Sequence, residues 1–307
     1  MNIEVLLTEA EIAEEFAESL EARDLPEKFF YWSATSVQAW KMLASESQSS
    51  LFETWKDLAR LAPELTKAFG QKVPVISFGS GDGTKDRLIL QALQRTGREV
   101  RYFPVDSSQT LLEMACAGAE DDDCEVTGIK ADISSPMHML LAADAAEAPR
   151  LFIMAGNTIG RFDPLDQVKH IANSMHKGDI LIIDAEIDTD PGGPPAPTDE
   201  QRRFAFAPLT SAGIGPNDGE LKFERRKDER RDGMTISTRR FQANRDLELY
   251  VAGREIHIER GERIFLNFRY LFTAEAFKWL LTGHADLKIV GEMPSADGRF
   301  LTAVCIK

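Results

Sequence analysis

From residue 73 to residue 185 the chain alternates apolar runs of strand length with stretches of helical period, a pattern that few architectures accept. The strand-like runs fall at 73–78, 99–105, 125–129, 151–155 and 179–185, and helical patterns occupy 86–93, 111–117, 137–145 and 165–175 between them. Strands joined through a helix run parallel, because the crossover returns the chain to the edge from which it set out. The spacing therefore predicts an α/β fold with a mostly parallel sheet. Further on, a helix at 274–281 opened by Thr273 leads into strands at 287–292 and 300–306, separated only by the turn 294–298. A connection that short forces an antiparallel pair, so an antiparallel terminal hairpin strand is expected to close the sheet.

The flanks have a different texture. Residues 8–22 carry Ala13, Phe16, Ala17 and Leu20 at helical spacing, and Thr8 with Glu11 has the form of a capping box. Leu25-Pro26 ends that helix. Phe29, Phe30, Tyr31, Trp32 and Trp40 follow, a cluster that serves either as helix-packing core or as the wall of a pocket. A second helical pattern runs through Leu51, Trp55, Leu58 and Leu61 to Pro63. The Gly- and Pro-rich stretch 188–197 reads as a loop. Beyond it come a helix at 199–209 and alternating strand patterns at 235–241, 247–251 and 254–258, while ERRKDERRD at 224–232 mixes both signs as a solvated hairpin or loop does.

Charge removes whole classes of function. With 36 Lys and Arg against 50 Asp and Glu, a net charge of −14 over 307 residues, the surface repels polyanions, so neither nucleic acid nor an anionic membrane is an expected partner. Cys116, Cys124 and Cys305 show no C-x-x-C spacing and suit reduced thiols better than a disulfide framework or a zinc cluster. The five histidines have no metal-binding spacing, and no metal is expected. No apolar run approaches the ~18 residues of a membrane span. The N-terminal stretch has no basic leader, which makes a cytoplasmic location the expectation.

The chemistry concentrates at strand ends. The first strand runs into Gly79-Ser80-Gly81-Asp82-Gly83 just before a helix, at the carboxyl edge where open α/β sheets bind ligands. Glycine there permits positive φ and lets backbone approach a ligand, and the helix N-terminus offers unpaired N–H groups. A nicotinamide-binding turn wants its third glycine one position later, where this chain has Thr84, and the P-loop pattern is absent. The second strand ends at Asp106. A carboxylate at that place accepts two hydrogen bonds from a ribose diol, or else caps the next helix, a task that Ser107 or Ser108 does equally well. Asp132, ending the third strand, has the same two readings, with an adenine amino group as its ligand.

Taken with their surroundings, FGSGDGTKDRLILQAL, YFPVDSSQTLL, KADI and AGNTIGRFDP resemble the histidine-specific methyltransferase family, which uses S-adenosylmethionine (SAM) to make the Nα-trimethylated histidine precursor of ergothioneine. LPEKFFY near the N-terminus and GERIFLNFRYLFT near residue 267 are similar to the family's outer segments. The resemblance implies a class I SAM-methyltransferase fold, with a Rossmann-like domain at 66–190 and 269–307 and a smaller α+β substrate lobe from 1–65 and 191–268. It implies cofactor contacts from Gly79, Ser80, Gly81, Lys85, Asp106, Ser107, Asp132, Ile133 and Gly156, and it puts Tyr31 beside the substrate. Lys85 by itself reads as a solvated helix residue, so its role rests on the resemblance. Tyr31 and Asn157 are the candidates for orienting the nucleophile, with a plain turn residue as the alternative for Asn157.

Departures from the family's pattern bear on the substrate. After T-I-G the family has an Asn that holds the amino acid's backbone groups, where this chain has Arg161. The family's E-x-S pair, which holds the imidazole, falls on Asn267 and Arg269. Losing that carboxylate removes a charged hydrogen bond worth about 1.5–3 kcal/mol, which argues against histidine itself. Two guanidinium groups in the pocket suit a carboxylate or phosphate and predict an anionic small-molecule substrate; alternatively Arg161 and Arg269 make surface or interdomain salt bridges. The expected activity is direct methyl transfer to a nitrogen of an amino-acid-like metabolite. Its rivals are a SAM-binding protein without catalysis and, after that, a nicotinamide-dependent oxidoreductase.

Overall fold

The computed structural model describes the backbone of residues 1–47, 49–189 and 196–307 and, apart from residues 45–47, their side chains. Residues 190–195 of the expected Gly- and Pro-rich loop lie outside the described residues. The chain opens with a short strand, β1 (Ile3–Val5), and a helix, α1 (Glu9–Glu21). The capping box forms: Thr8 Oγ1 accepts from the Glu11 N–H, and the Glu11 carboxylate accepts from the Thr8 N–H. Three helices follow, α2 (Phe29–Trp32), α3 (Ala34–Ser47) and α4 (Ser49–Leu65). The alternating region supplies β2 (Lys72–Phe78), α5 (Thr84–Gln94), β3 (Glu99–Asp106), α6 (Gln109–Glu120), β4 (Glu125–Val126) and β5 (Gly128–Lys130). It continues with α7 (Pro136–Ala143), β6 (Leu151–Met154), a 3₁₀ turn at Thr158–Arg161, α8 (Pro164–Ser174) and β7 (Ile180–Glu186). Then come α9 (Asp199–Ser211), β8 (Gly219–Lys227), β9 (Met234–Ala243), β10 (Leu247–Val251), β11 (Arg254–Ile258) and β12 (Arg263–Phe272). Last are α10 (Ala274–Trp279), β13 (Lys288–Pro294) and β14 (Phe300–Ile306).

The main sheet has the order β1-β5-β3-β2-β6-β7-β14-β13, with β4 beside β3. Its strands pair in parallel as far as β7, after which β14 lies antiparallel on β7 and β13 antiparallel on β14. This is the α/β class I methyltransferase arrangement, a mostly parallel sheet ended by an antiparallel hairpin strand. The order reverses at β2: the chain moves outward to β3 and β5, then returns to β6 on the other side. Such a switch point opens a crevice at the carboxyl ends of the strands, so the topology alone places a site beyond β2 and β6.

Alternate side chains of each strand feed opposite layers. Val73, Val75 and Ile153 pack with Trp55, Leu58, Ile89 and Leu93 on one face. Ile76, Phe78 and Phe152 pack with Met139, Val168, Ile171 and Phe277 on the other. A third core joins Phe16, Leu20, Phe29 and Phe30 to Phe204, Phe241, Ile264 and Leu266, so α1, α2, α9 and the later strands form the smaller lobe. In that lobe β8, β9 and β12 make an antiparallel sheet, and β10 and β11 a hairpin. Among the described residues no helix is long and apolar enough to cross a membrane.

Several features depart from the sequence pattern. The division at residue 65 separates α4 and β1 from the sheet, yet α4 packs on it through Leu51 and Trp55, and β1 pairs with β5. β12 escapes a period-two reading because the bulge between Phe265 and Asn267 shifts its alternation: Ile264 and Leu266 enter the lobe core while Tyr270 and Phe272, an even number of positions on, enter the sheet core. The segment 224–232 is a hairpin joining β8 to β9, but it is not simply solvated. Arg225 pairs with Asp188 and Arg231 with Asp163, which ties the turn to neighbouring loops.

Candidate active site

β2 delivers the chain to the crevice and three glycines turn it there. Gly79, Gly81 and Gly83 sit at φ +69°, +57° and +72°, left-handed values that cost an ordinary residue roughly 1–2 kcal/mol. The turn is also too tight for side chains. A Cβ on Gly79 would lie 2.9 Å from Thr158 Cγ2, and one on Gly81 would lie 3.2 Å from the Trp40 ring. Gly79 and Ser80 donate their N–H groups to the Val105 carbonyl at 2.8 and 3.1 Å, which fastens the turn to β3. The Ser80 hydroxyl is buried with no hydrogen-bond partner among the described residues, a polar group of the kind a bound ligand satisfies.

One cavity is lined by Gly79, Ser80, Gly81, Lys85, Asp106, Ser107, Asp132, Ile133 and Gly156, together with Tyr31, Trp40 and Arg161. Asp106 Oδ2 accepts from the Gly81 N–H and Oδ1 from the Ser108 N–H, both at 2.9 Å. Capping of α6 falls to Ser108, whose hydroxyl accepts from the Leu111 N–H, so the Asp106 carboxylate stays at the cavity wall. Burial pushes its pKa up in spite of those backbone bonds. Asp132 is more committed. Ser134 donates its N–H and hydroxyl to Oδ1 at 2.8 and 2.6 Å, and Lys28 Nζ holds Oδ2 at 2.7 Å. Burial pushes this carboxyl up, but Lys28 and Ser134 outweigh it and hold the pKa below the usual range. That leaves less room for an adenine amino group than the sequence suggests. The cavity as a whole fits an adenosyl ligand: it offers backbone that admits close approach, a carboxylate for a diol, an unspent hydroxyl, and Leu111 and Ile133 for a flat base.

A second chamber adjoins the first. Trp40, Gly156 and Arg161 line both, and Asn157, Glu186, Gln201, Arg239, Arg269 and Arg299 line the second. Glu27 anchors the boundary. Its Oε1 accepts from the Tyr31 hydroxyl at 2.8 Å and lies 3.3 Å from Arg161 Nη1, while Oε2 accepts from Asn267 Nδ2 at 2.7 Å. Burial pushes the Tyr31 hydroxyl far above its ordinary pKa, so at neutral pH it is a donor. Asn267 lines neither cavity. It bridges Glu27 to Arg239, whose Nη1 donates to Asn267 Oδ1 at 3.3 Å, and so it acts as a positioning residue. The two residues are direct partners across β12 and β9, and Arg269 lies two positions along on the same face. A bulge between Phe265 and Asn267 sets that register. Arg269 Nη1 pairs with Glu186 at 2.9 Å. Each predicted arginine thus does pair with an acid, yet each still faces the chamber.

Asn157 takes the left-handed conformation at φ +57°. Its Oδ1 accepts from the Glu186 N–H at 3.0 Å and its Nδ2 donates to the Tyr270 carbonyl at 3.3 Å. Its own N–H donates to Asp184 Oδ1 at 2.6 Å, and Asp184 Oδ2 accepts from the Gly156 N–H and from Trp55 Nε1, each at 2.9 Å. The side chain proposed from sequence to orient a nucleophile is therefore spent on backbone, joining β7 to β12. Glu27, Lys28, Asp184 and Arg239 were not singled out by sequence. Arg239 alone carried a signal, since it shares the inward face of the 235–241 strand pattern with Phe241.

Comparison with known proteins agrees with the geometry. Residues 10–192, more than half of the chain, match the family described as histidine-specific methyltransferase, SAM-dependent. A histidine N-alpha-methyltransferase of Mycolicibacterium smegmatis is 24% identical over 176 residues, covering 55% of this chain and 53% of that protein. One of Mycobacterium tuberculosis is 25% identical over 117 residues, 37% of this chain and 36% of the relative. The chain thus spans about half the length, or less, of the curated relatives it matches. Among solved structures, an S-adenosylmethionine-dependent methyltransferase from Clostridium acetobutylicum superposes with a TM-score of 0.44 at 13% identity, covering 83% of this chain and 91% of that one.

Proposed function

The chain belongs to the histidine-specific, SAM-dependent methyltransferase family, and from that membership we propose that it is an enzyme transferring a methyl group from SAM to a nitrogen of a small, amino-acid-like metabolite that carries an anionic group. The observation that carries this reading is the junction of the two chambers. Because Trp40, Gly156 and Arg161 line both, a cofactor on the glycine turn and an acceptor among the arginines meet at that place. SAM would supply, when bound, a methyl group on a sulfonium, passed to an amine that has already released its proton to solvent, with S-adenosylhomocysteine as the leaving group, so no strong base is needed opposite it. What remains for the protein is alignment and desolvation. The backbone from Gly79 to Gly83 would cradle the cofactor, the Ser80 hydroxyl, without a hydrogen-bond partner among the described residues, would gain one, and Asp106 would take the ribose diol. Tyr31, fixed to Glu27 through its proton, keeps an oxygen lone pair for an N–H of the acceptor. The Tyr31 and Trp40 rings stand 6.3 Å apart in an edge-on pair, an aromatic wall that favours charge developing on a methylated amine.

Calorimetric titration tests the cofactor half directly. SAM and S-adenosylhomocysteine should both bind and NAD should not, and Asp106→Ala should weaken both adenosyl ligands at least tenfold. Well-folded protein that binds neither adenosyl ligand would overturn the reading. Turnover is then read as S-adenosylhomocysteine released in the presence of candidate amines.

A further inference from the structure

Arg161, Arg239 and Arg269 converge on the second chamber from three different elements, the 3₁₀ turn, β9 and β12. Their hydrogen-bonding capacity is almost untouched. Arg239 makes one long hydrogen bond, to Asn267 Oδ1 at 3.3 Å, while Arg161 and Arg269 make ion pairs but no hydrogen bond among the described residues. Among the described residues Arg161 Nη1 is enclosed with no hydrogen bond beyond its 3.3 Å ion-pair contact to Glu27, and Arg269 Nε is enclosed with no hydrogen-bond partner. The acids nearby are already engaged. Glu27 serves Tyr31, Asn267 and Arg161, and Glu186 serves Arg269. Arg299, which also lines the chamber, pairs with Asp297, so among the described residues four arginines stand against three acids and Arg239 alone has no acid as its ion-pair partner. Burial, and after it the charges of Arg161 and Arg269, push the Arg239 pKa down to about 9.

A guanidinium matches a carboxylate or phosphate edge to edge, and one such anion needs only one or two of them. An amino acid with a neutral side chain, its amine unprotonated as attack on the methyl requires, brings a single carboxylate, which engages one or two of the three guanidinium groups and leaves the donors of the rest unmet. We infer that the acceptor is an amine bearing two anionic groups, an amino acid whose side chain ends in a second carboxylate or in a phosphate, held by Arg161, Arg239 and Arg269. The inference rests on the methyl-transfer reading only for the word acceptor; the anion site stands on the arginines themselves.

The test is titration of the intact chain with aspartate, glutamate and O-phosphoserine, against glutamine and histidine as neutral-side-chain controls, each with and without saturating S-adenosylhomocysteine. At least one dianionic ligand should bind ten times more tightly than glutamine and histidine, and the acidic amino acids against O-phosphoserine distinguish a second carboxylate from a phosphate. Arg239→Gln should erase the preference while leaving S-adenosylhomocysteine affinity unchanged. If histidine or glutamine binds as well as every dianionic probe, the inference is overturned, whatever the cofactor does. Failure of S-adenosylhomocysteine to bind, with the dianion preference intact, would instead count against methyl transfer and leave the anion site in place. The comparison on the unmodified chain needs no variant, so a poorly folded Arg239→Gln does not blunt it.

Discussion

Asp86 shows how burial sets the charge of a single side chain at the cofactor cavity. It begins α5, accepts the Tyr102 hydroxyl and is pushed from an ordinary 3.8 up to about 6, first by desolvation. A folded pKa above the unfolded one means that the native state holds the proton more tightly. The stabilisation from that proton is full below about pH 4 and is lost as the pH rises through 6. Asp86→Asn removes the buried charge, so the variant should gain on the native sequence between pH 4 and 6 and keep the gain above, with a ceiling of about 3 kcal/mol. Urea unfolding at pH 4 and pH 8 checks it: the same difference at both values would refute the assignment. Asn157→Ala probes the neighbouring turn. It strands the Glu186 N–H and the Tyr270 carbonyl, and should cost about 1–3 kcal/mol of stability along with activity. A loss of kcat with unchanged stability would instead restore Asn157 to the nucleophile. Residues of this kind differ in how legible they are. Gly79, Gly81 and Asp106 announce themselves because their chemistry depends on the adjacent strand end. Lys28 meets Asp132 across 104 positions and Glu27 meets Asn267 across 240, and no local pattern marks a partner that distant.

The glycine turn acts as an element because its geometry fixes where α5 begins and where Trp40 rests. Gly81→Ala forces a Cβ to 3.2 Å from the Trp40 ring and strains a φ of +57°. Gly97→Ala supplies the control, since that residue is also left-handed, at φ +79°, but a Cβ there meets nothing within 4 Å. Both substitutions should cost roughly 1–2 kcal/mol of stability through backbone strain. Only Gly81→Ala should also weaken S-adenosylhomocysteine binding, by tenfold or more, as calorimetry would show; equal effects would mean that strain alone governs the turn. At this scale the sequence is most readable where one face of an element is buried. α1 and the β10–β11 hairpin follow their patterns, whereas the bulge in β12 breaks its alternation and the mixed charges along β8 hide a strand whose burial does alternate.

Over the whole molecule the parallel frame follows from the alternation of strands and helices, but the packing of α4 on the sheet does not, because an amphipathic helix records only that it has an apolar face. The frame also separates two jobs. The carboxyl ends of the strands hold the cavities, and the amino ends of β6 and β7 hold a fully buried ion pair, Arg150 with Asp179 at 2.7 Å. Arg150 also donates to the carbonyls of Ala143 and Ser174, while Asp179 accepts from the backbone N–H groups of Arg150 and His176. Those contacts lock α7 and α8 beneath the sheet, far from any residue lining the two chambers. Arg150→Met removes one partner and leaves a carboxylate buried without its counter-charge, which should cost about 3–5 kcal/mol. Arg150→Met with Asp179→Asn should recover part of that loss, since the amide oxygen still accepts backbone N–H groups and no charge is stranded. Urea midpoints of the single and double variants measure both effects. Affinity for S-adenosylhomocysteine, taken well below the melting temperature, should match the native chain in each. If binding falls in step with stability, the two ends of the sheet are not energetically independent, and the division of labour drawn from the topology fails.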